Sequence, residues 1–163
     1  MSSKQRQILP RVLQDVCDAH PDCGILLWGS VQDGREREGS DLDLFVVIEE
    51  EDDQITLDQA RRFDGVALDI AWMPASALRK QLHDEPYLFY GFSQARVLHD
   101  PTGIAKQHQD IALAYFRDHQ DVADAWEAQA AEVRKHKLKK DHVLAYPAWD
   151  DFADHIRQIA QRS

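Results

Sequence analysis

The chain has 163 residues, with 29 acidic against 19 basic side chains and a formal charge of -10. That length suits one domain with a sizeable core, or a compact domain with an appendage, and leaves no room for two large domains. An acidic balance argues against DNA or RNA as a partner, because neutralising phosphates takes clustered Lys and Arg. The acidity is concentrated: residues 1–100 hold 10 basic and 19 acidic side chains, whereas residues 101–163 hold 9 and 10. No apolar run approaches the roughly 18 residues of a membrane span, and the opening MSSKQRQILP has no apolar core of a signal peptide, so a soluble cytoplasmic protein is expected. Cys17 and Cys23 read as reduced thiols without a disulfide or zinc role, and the eight histidines fall into no metal-binding pattern.

In chain order, Ile8, Leu9, Val12, Leu13, Val16 and Cys17 recur at helical spacing, which predicts an amphipathic helix with Pro10 in its first turn and an end before Pro21. Gly24 to Trp28 reads as a short buried strand, from which Gly29-Ser30 turns the chain. Val31 to Gly39 is polar and suits a loop or short helix. The strand Leu42 to Ile48 alternates: Leu42, Leu44, Val46 and Ile48 share one face, and Asp41, Asp43, Phe45 and Val47 share the other. The acidic run Glu49 to Asp53 reads as a solvated loop.

Thr56 to Phe63 suggests a helix, and Val66 to Trp72 a strand whose centre carries Asp69, a charge among apolar neighbours that calls for a compensating partner. Ser76 to His83 predicts a helix with Leu78 and Leu82 inward. The aromatic segment Pro86 to Phe92 fits a pocket lining or core packing. Arg96 to His99 is a strand stopped by Asp100-Pro101. Beyond Thr102 the pattern is helical, with segments around Ile104 to Tyr115, Val122 to Val133 and Trp149 to Ala160, and one basic stretch, Arg134 to Lys140. The expected architecture is α/β (α+β), a small mixed sheet of about four strands flanked by helices: a core over residues 1–102 and a helical extension over 103–163.

The chemistry concentrates between Trp28 and Ile48. Two carboxylates two apart on a strand project side by side, and they repel unless a cation sits between them. Oxygen ligands of this kind suit Mg2+ or Mn2+ better than zinc, with nucleotide phosphates filling the remaining coordination positions.

With Gly29-Ser30, the later Ser40-Asp41-Leu42-Asp43-Leu44, the strand ALDIAW carrying Asp69, and the strand-and-turn ARVLHDPTG, the first hundred residues resemble the DNA polymerase beta-like nucleotidyltransferase superfamily, in particular its minimal and aminoglycoside-type branches. The resemblance implies that Asp41 and Asp43 hold two divalent metals bridging a nucleoside triphosphate, with ATP expected as the nucleotide. Asp69 then completes the catalytic metal site and helps to deprotonate an acceptor hydroxyl, while Gly29, Ser30 and Ser40 contact the nucleotide. Minimal members continue as G-S-x-A-R-G, whereas this chain reads Gly29-Ser30-Val31-Gln32-Asp33-Gly34, with Asp33 in the place of the arginine. Either Arg35 or Arg37 takes over phosphate neutralisation, or nucleotide binding has weakened or been lost.

The implied function is transfer of a nucleoside monophosphate to a hydroxyl on a protein or small molecule. One branch resembles antitoxins that modify a helical HEPN-type toxin, which would make such a toxin, or a second copy docked through the C-terminal helices, the partner. Another resembles aminoglycoside-modifying enzymes. The alternative from a different class is a binding partner that keeps the fold without catalysis.

Overall fold

The computed structural model describes residues 3–49, 60–78, 80, 82, 91–124, 154, 157, 158 and 161. Helix α1, Lys4–Ala19, starts a full turn earlier than its apolar periodicity predicts, because Ser3 caps it: the Ser3 Oγ accepts the Arg6 N–H at 3.3 Å. Pro10 therefore lies in the second turn rather than the first, where its missing N–H leaves the Arg6 carbonyl without its helical donor. The buried stripe runs Gln5, Ile8, Val12, Val16, at helical spacing but opening on a polar side chain.

Strands β1 (Gly24–Trp28), β2 (Leu42–Ile48), β3 (Ala60–Phe63), β4 (Val66–Pro74) and β5 (Arg96–His99) form one mixed sheet in the order β3-β4-β2-β1-β5. β2 pairs antiparallel with β1 and parallel with β4, so the middle of the sheet joins two strands that enter from the same end. The count is five strands, one more than the sequence pattern suggests, and the extra strand is β3. Residues 60–63 are not the end of a helix, as their spacing had implied. They pair antiparallel with β4 through the turn Asp64-Gly65, whose φ angles of 49° and 84° are those of a tight hairpin turn. An Asp-Gly pair at a strand edge is a strong local signal, and here it overrides helical spacing. The remaining predicted residues of that helix, 56–59, lie outside the described residues.

Alternation along the strands makes two cores. On one face Ile25, Leu27, Leu42, Leu44, Val46, Leu68 and Ile70 meet Ile8, Val12 and Val16 of α1. On the other, Leu26, Phe45, Val47 and Met73 meet Leu78, Leu82, Phe92 and the helix α3, Ile104–Asp118, through Ile104, Ala105, Ala112 and Phe116. Phe45 and Phe92 pack edge to face, with centroids 5.4 Å apart. Each such side chain contributes about 1.5–3 kcal/mol relative to exposure. Buried Gln109 of α3 donates to the Phe92 and Ala95 carbonyls at 3.0 and 2.8 Å, which ties the helix to the segment leading into β5. No helix among the described residues is long and apolar enough to cross a membrane. The aromatic residues 86–90, the two later helical patterns beyond residue 124 and the basic stretch 134–140 fall outside the described residues, apart from four isolated positions near the C-terminus.

β1 and α3 approach so closely at Gly24 that a Cβ there would lie 2.5 Å from Ala105 Cβ and 3.0 Å from its backbone nitrogen. Because backbone as well as side chain must give way, Gly24→Ala is expected to cost about 1–3 kcal/mol. Urea unfolding would show it as a lower midpoint at unchanged slope. A midpoint equal to wild type would mean that strand and helix do not approach so closely.

Candidate active site

Asp41 immediately precedes β2, Asp43 is the second residue of β2, and Asp69 lies directly opposite Asp43 on the parallel neighbour β4. Residues opposed on adjacent strands share a face, and so do residues two apart on one strand. Both rules act together here, and the three carboxylates converge with their ligand oxygens all within 4.8 Å of one another. Asp43 is half-buried; Asp41 and Asp69 are exposed. Asp69 is therefore exposed rather than sunk in apolar surroundings as its strand pattern suggests. Among the described residues no cation pairs with any of the three.

Fully ionised, each pair would repel by roughly 3 kcal/mol at an effective dielectric of 20. The chain relieves this by holding protons. Burial, then Asp41, then Asp69 push the Asp43 carboxyl up to about 7, and burial followed by Asp41 raises Asp69 above the usual carboxylate range. The donor set fits a hard divalent ion. Oxygens around one Mg2+ at about 2.1 Å lie roughly 3–4.2 Å apart, so the observed spread closes onto an ion with a shift below about 1 Å.

Gly29 stands against this cluster at the end of β1, where Trp28 pairs in register with Asp43. Its φ of 72° is left-handed, and a Cβ on it would fall inside the envelope of Asp43 Oδ2. Glycine is thus required here by the carboxylate as well as by the backbone. Gly29 and Ser30 open the short helix α2, Gly29–Asp33, which ends on Gly34 with φ 70°. Gln32 of α2 donates from Nε2 to the Gln94 carbonyl at 3.1 Å and accepts the Arg96 N–H at 2.7 Å. One amide side chain so fastens the Gly29-Ser30 turn to the start of β5.

The other expected site residues are placed differently. Arg35 is held by Asp33 in an ion pair on the surface. Arg37 lines a cavity of about 540 Å3 between the first turn of α1, the loop before β2 and the β3–β4 turn, together with Lys4, Ser40 and Arg62. The Ser40 Oγ accepts the Arg37 N–H at 2.9 Å. The structure thus joins Asp41, Asp43, Asp69 and Gly29 in one cluster, and neither Arg35 nor Arg37 contacts the carboxylates. Sequence reasoning passed over Gln5 and Gln32. For Gln5 there was a signal, a polar residue three before Ile8 on the apolar stripe.

Three carboxylates without a cationic partner among the described residues, on and just before two parallel strands and beside a glycine-serine turn, fit the class of proteins that handle nucleotide phosphates through divalent cations. The family model described as the nucleotidyltransferase domain matches residues 9–95. The chain belongs to that family, and its fold agrees with the DNA polymerase beta-like superfamily. No curated protein matches the chain.

The raised Asp43 carboxyl sets the sign of a pH effect. Its folded value, about 7, stands above the ordinary 3.8, so its contribution to stability is fully present below about pH 4 and is lost as pH rises through about 7. In EDTA, wild type should therefore lose melting temperature relative to Asp43→Asn between pH 5 and pH 8, the mutant lacking the repelling charge at nearly constant shape. Mg2+ at about a hundred-fold excess over its dissociation constant should restore wild type by about 2.7 kcal/mol and hardly move the mutant. Parallel pH profiles, both indifferent to Mg2+, would show that Asp43 is an ordinary structural carboxylate.

Proposed function

We propose that this protein transfers a nucleoside monophosphate from a nucleoside triphosphate, with ATP as the first candidate, to a hydroxyl acceptor. The observation that carries the reading is the convergence of Asp41, Asp43 and Asp69, without a cationic partner among the described residues, next to Gly29 in a chain of the nucleotidyltransferase family. Asp41, Asp43 and Asp69 would hold Mg2+ or Mn2+, which when bound neutralises the triphosphate and the charge that develops during in-line displacement at the α-phosphate. The residues of the chain then divide the work. Asp69, exposed and with a raised affinity for protons, is placed to accept the proton of the acceptor hydroxyl. Gly29 and Ser30, fixed through Gln32 to β5, present backbone and hydroxyl donors to the phosphates. The bond formed joins the acceptor oxygen to the α-phosphorus, and pyrophosphate leaves with the electrons of the broken P–O bond.

The acceptor side is open at the sheet face that carries Asp69. An acidic core domain favours a cationic acceptor, either a basic surface on a partner protein, as in the antitoxin-like branch, or a polycationic small molecule. Incubation with labelled ATP, Mg2+ and lysate separates these by whether label appears in protein or in a small molecule. A second reading, a non-catalytic binding module, is favoured by one observation: Asp33 occupies Arg35, the nearest replacement for the family arginine.

Two measurements decide between these readings. ATP should bind in calorimetry with Mg2+ and not in EDTA, since the bare carboxylates repel a triphosphate; equal affinity in EDTA would remove the metal-site reading. Asp33→Asn should tighten Mg-ATP binding by freeing Arg35 and deleting a like charge. Arg35→Ala should weaken it by roughly 10- to 150-fold, the worth of about 1.5–3 kcal/mol for a charge-assisted contact. If Asp33→Asn, Arg35→Ala and Arg37→Ala all bind as wild type does, neither arginine serves the phosphates and the binding-module reading gains.

A further inference from the structure

We propose that the first turn of α1 is the positioning element for Asp41, with Gln5 as its central residue. The inference rests on the metal-site reading above and adds to it a residue that touches neither metal nor nucleotide.

Asp41 lies outside the sheet ladder. The registered pairs of β2 begin at Leu42 with β4 and reach only to Asp43 with β1, so no strand neighbour fixes Asp41. Its placement is inherited from the loop that precedes it. That loop closes as a tight turn in which the Ser40 N–H donates to the Arg37 carbonyl at 3.0 Å, the Arg37 N–H donates to Ser40 Oγ at 2.9 Å, and Gly39 takes a φ of 88°. Gln5, 4% exposed, reaches under it and donates from Nε2 to the Ser40 carbonyl at 2.7 Å and to the Arg37 carbonyl at 3.2 Å. The Ser40 carbonyl belongs to the same planar peptide as the Asp41 nitrogen, so holding that oxygen fixes the plane from which the Asp41 side chain departs.

The neighbours of Gln5 complete the grip. Arg6 donates from Nη2 to the Val31 carbonyl of α2 at 2.5 Å and forks onto Glu36 at 2.5 and 3.3 Å, while Ser3 donates to Glu36 at 2.7 Å. Hydrogen bonds from Arg6 and Ser3 hold the Glu36 carboxyl down to about 2, so this part of the brace stays charged well into the acid range. One helical turn therefore holds both α2, which carries the Gly29-Ser30 turn, and the loop that delivers Asp41. Removing the Gln5 amide takes that donor from the part-buried Ser40 carbonyl and leaves the Arg37 carbonyl with the Ser40 N–H alone, so the loop is free to turn its last peptide toward water.

A merely structural glutamine would lower stability without touching metal affinity, and that difference is the test. Gln5→Met keeps length and shape without the donors. Gln5→Asn keeps the amide but is one methylene too short to reach both carbonyls. Val12→Ala, a core substitution elsewhere on α1, serves as the comparator. The full chain is titrated with Mn2+ by electron paramagnetic resonance, melted in EDTA, and probed by amide hydrogen exchange. Gln5→Met should weaken Mn2+ binding at least about tenfold, as loss of the support behind a metal ligand does, and should quicken exchange at residues 39–42 in the metal-free protein. Gln5→Asn should lie between it and wild type, and it decides alone if the Met variant does not fold. Val12→Ala should melt lower yet bind Mn2+ within about twofold of wild type, since its cavity opens in the core on the other face of the sheet from the carboxylates. Gln5 variants that bind Mn2+ as wild type does, or a Val12→Ala variant equally weakened, would overturn the positioning role alone. Wild type that binds no Mn2+ would overturn the metal-site reading, and this role with it.

Discussion

Like-charge repulsion among Asp41, Asp43 and Asp69 is the constraint around which this end of the sheet is built. Oxygens within 4.8 Å of one another cannot all ionise cheaply, and burial first and the neighbouring carboxylates second raise Asp43 and Asp69 above the usual carboxylate range. Stored repulsion of this kind persists only where the surroundings over-determine the geometry. The parallel pairing of β2 with β4 supplies most of that determination, because it sets Asp43 opposite Asp69 by backbone hydrogen bonds alone. Gly29 supplies the rest, leaving room for the Asp43 carboxylate that any side chain would deny.

Around that cluster, the polar side chains that look least chemical do much of the holding. Gln5 and Gln32 each bond two backbone groups, Gln5 in the loop before β2 and Gln32 at Gln94 and the first residue of β5. A side-chain amide suits this task because it is neutral and two-sided, and so adds no further charge beside three carboxylates. Arg6 joins the scaffold as a charge already met by Glu36. Neutral amides thus reach the segments beside the carboxylates, and the Arg6–Glu36 pair backs them from the first turn of α1.

Much of the site was legible in the sequence. The alternation of Leu42 to Ile48 placed Asp41 and Asp43 on one face, and the odd charge in Val66 to Trp72 singled out Asp69. What alternation cannot supply is register, since slipping one strand by two residues keeps every face intact. The opposition of Asp43 to Asp69 is a long-range fact, and so is the exposure of Asp69. β3 was missed because Ala60 to Phe63 is short, carries two arginines and follows a helix-like spacing, while its real determinant is the Asp64-Gly65 turn. α1 was started late because a cap and a first turn of polar residues give no apolar signal, although that turn is what grips the loop before Asp41.

Asp33 bears on activity less decisively than its place in the motif suggests. Its pair with Arg35 is a surface interaction, with the side chains 38% and 58% exposed. Exposed pairs of this kind are worth about 0–1 kcal/mol, whereas a charge-assisted contact from arginine to phosphate is worth about 1.5–3 kcal/mol. A triphosphate can therefore draw Arg35 away from Asp33 at a net gain, and the pair describes a resting state more than a lock. The residual cost on that reading is the Asp33 carboxylate left behind, a like charge to the phosphates that Arg35 would meet. Exposure lets water and salt screen that charge, so its penalty falls on affinity and leaves the geometry of the carboxylate cluster untouched. On the proposed reading, an aspartate in the place of the family arginine weakens one contact to the nucleotide and leaves the convergence of Asp41, Asp43 and Asp69 as it stands.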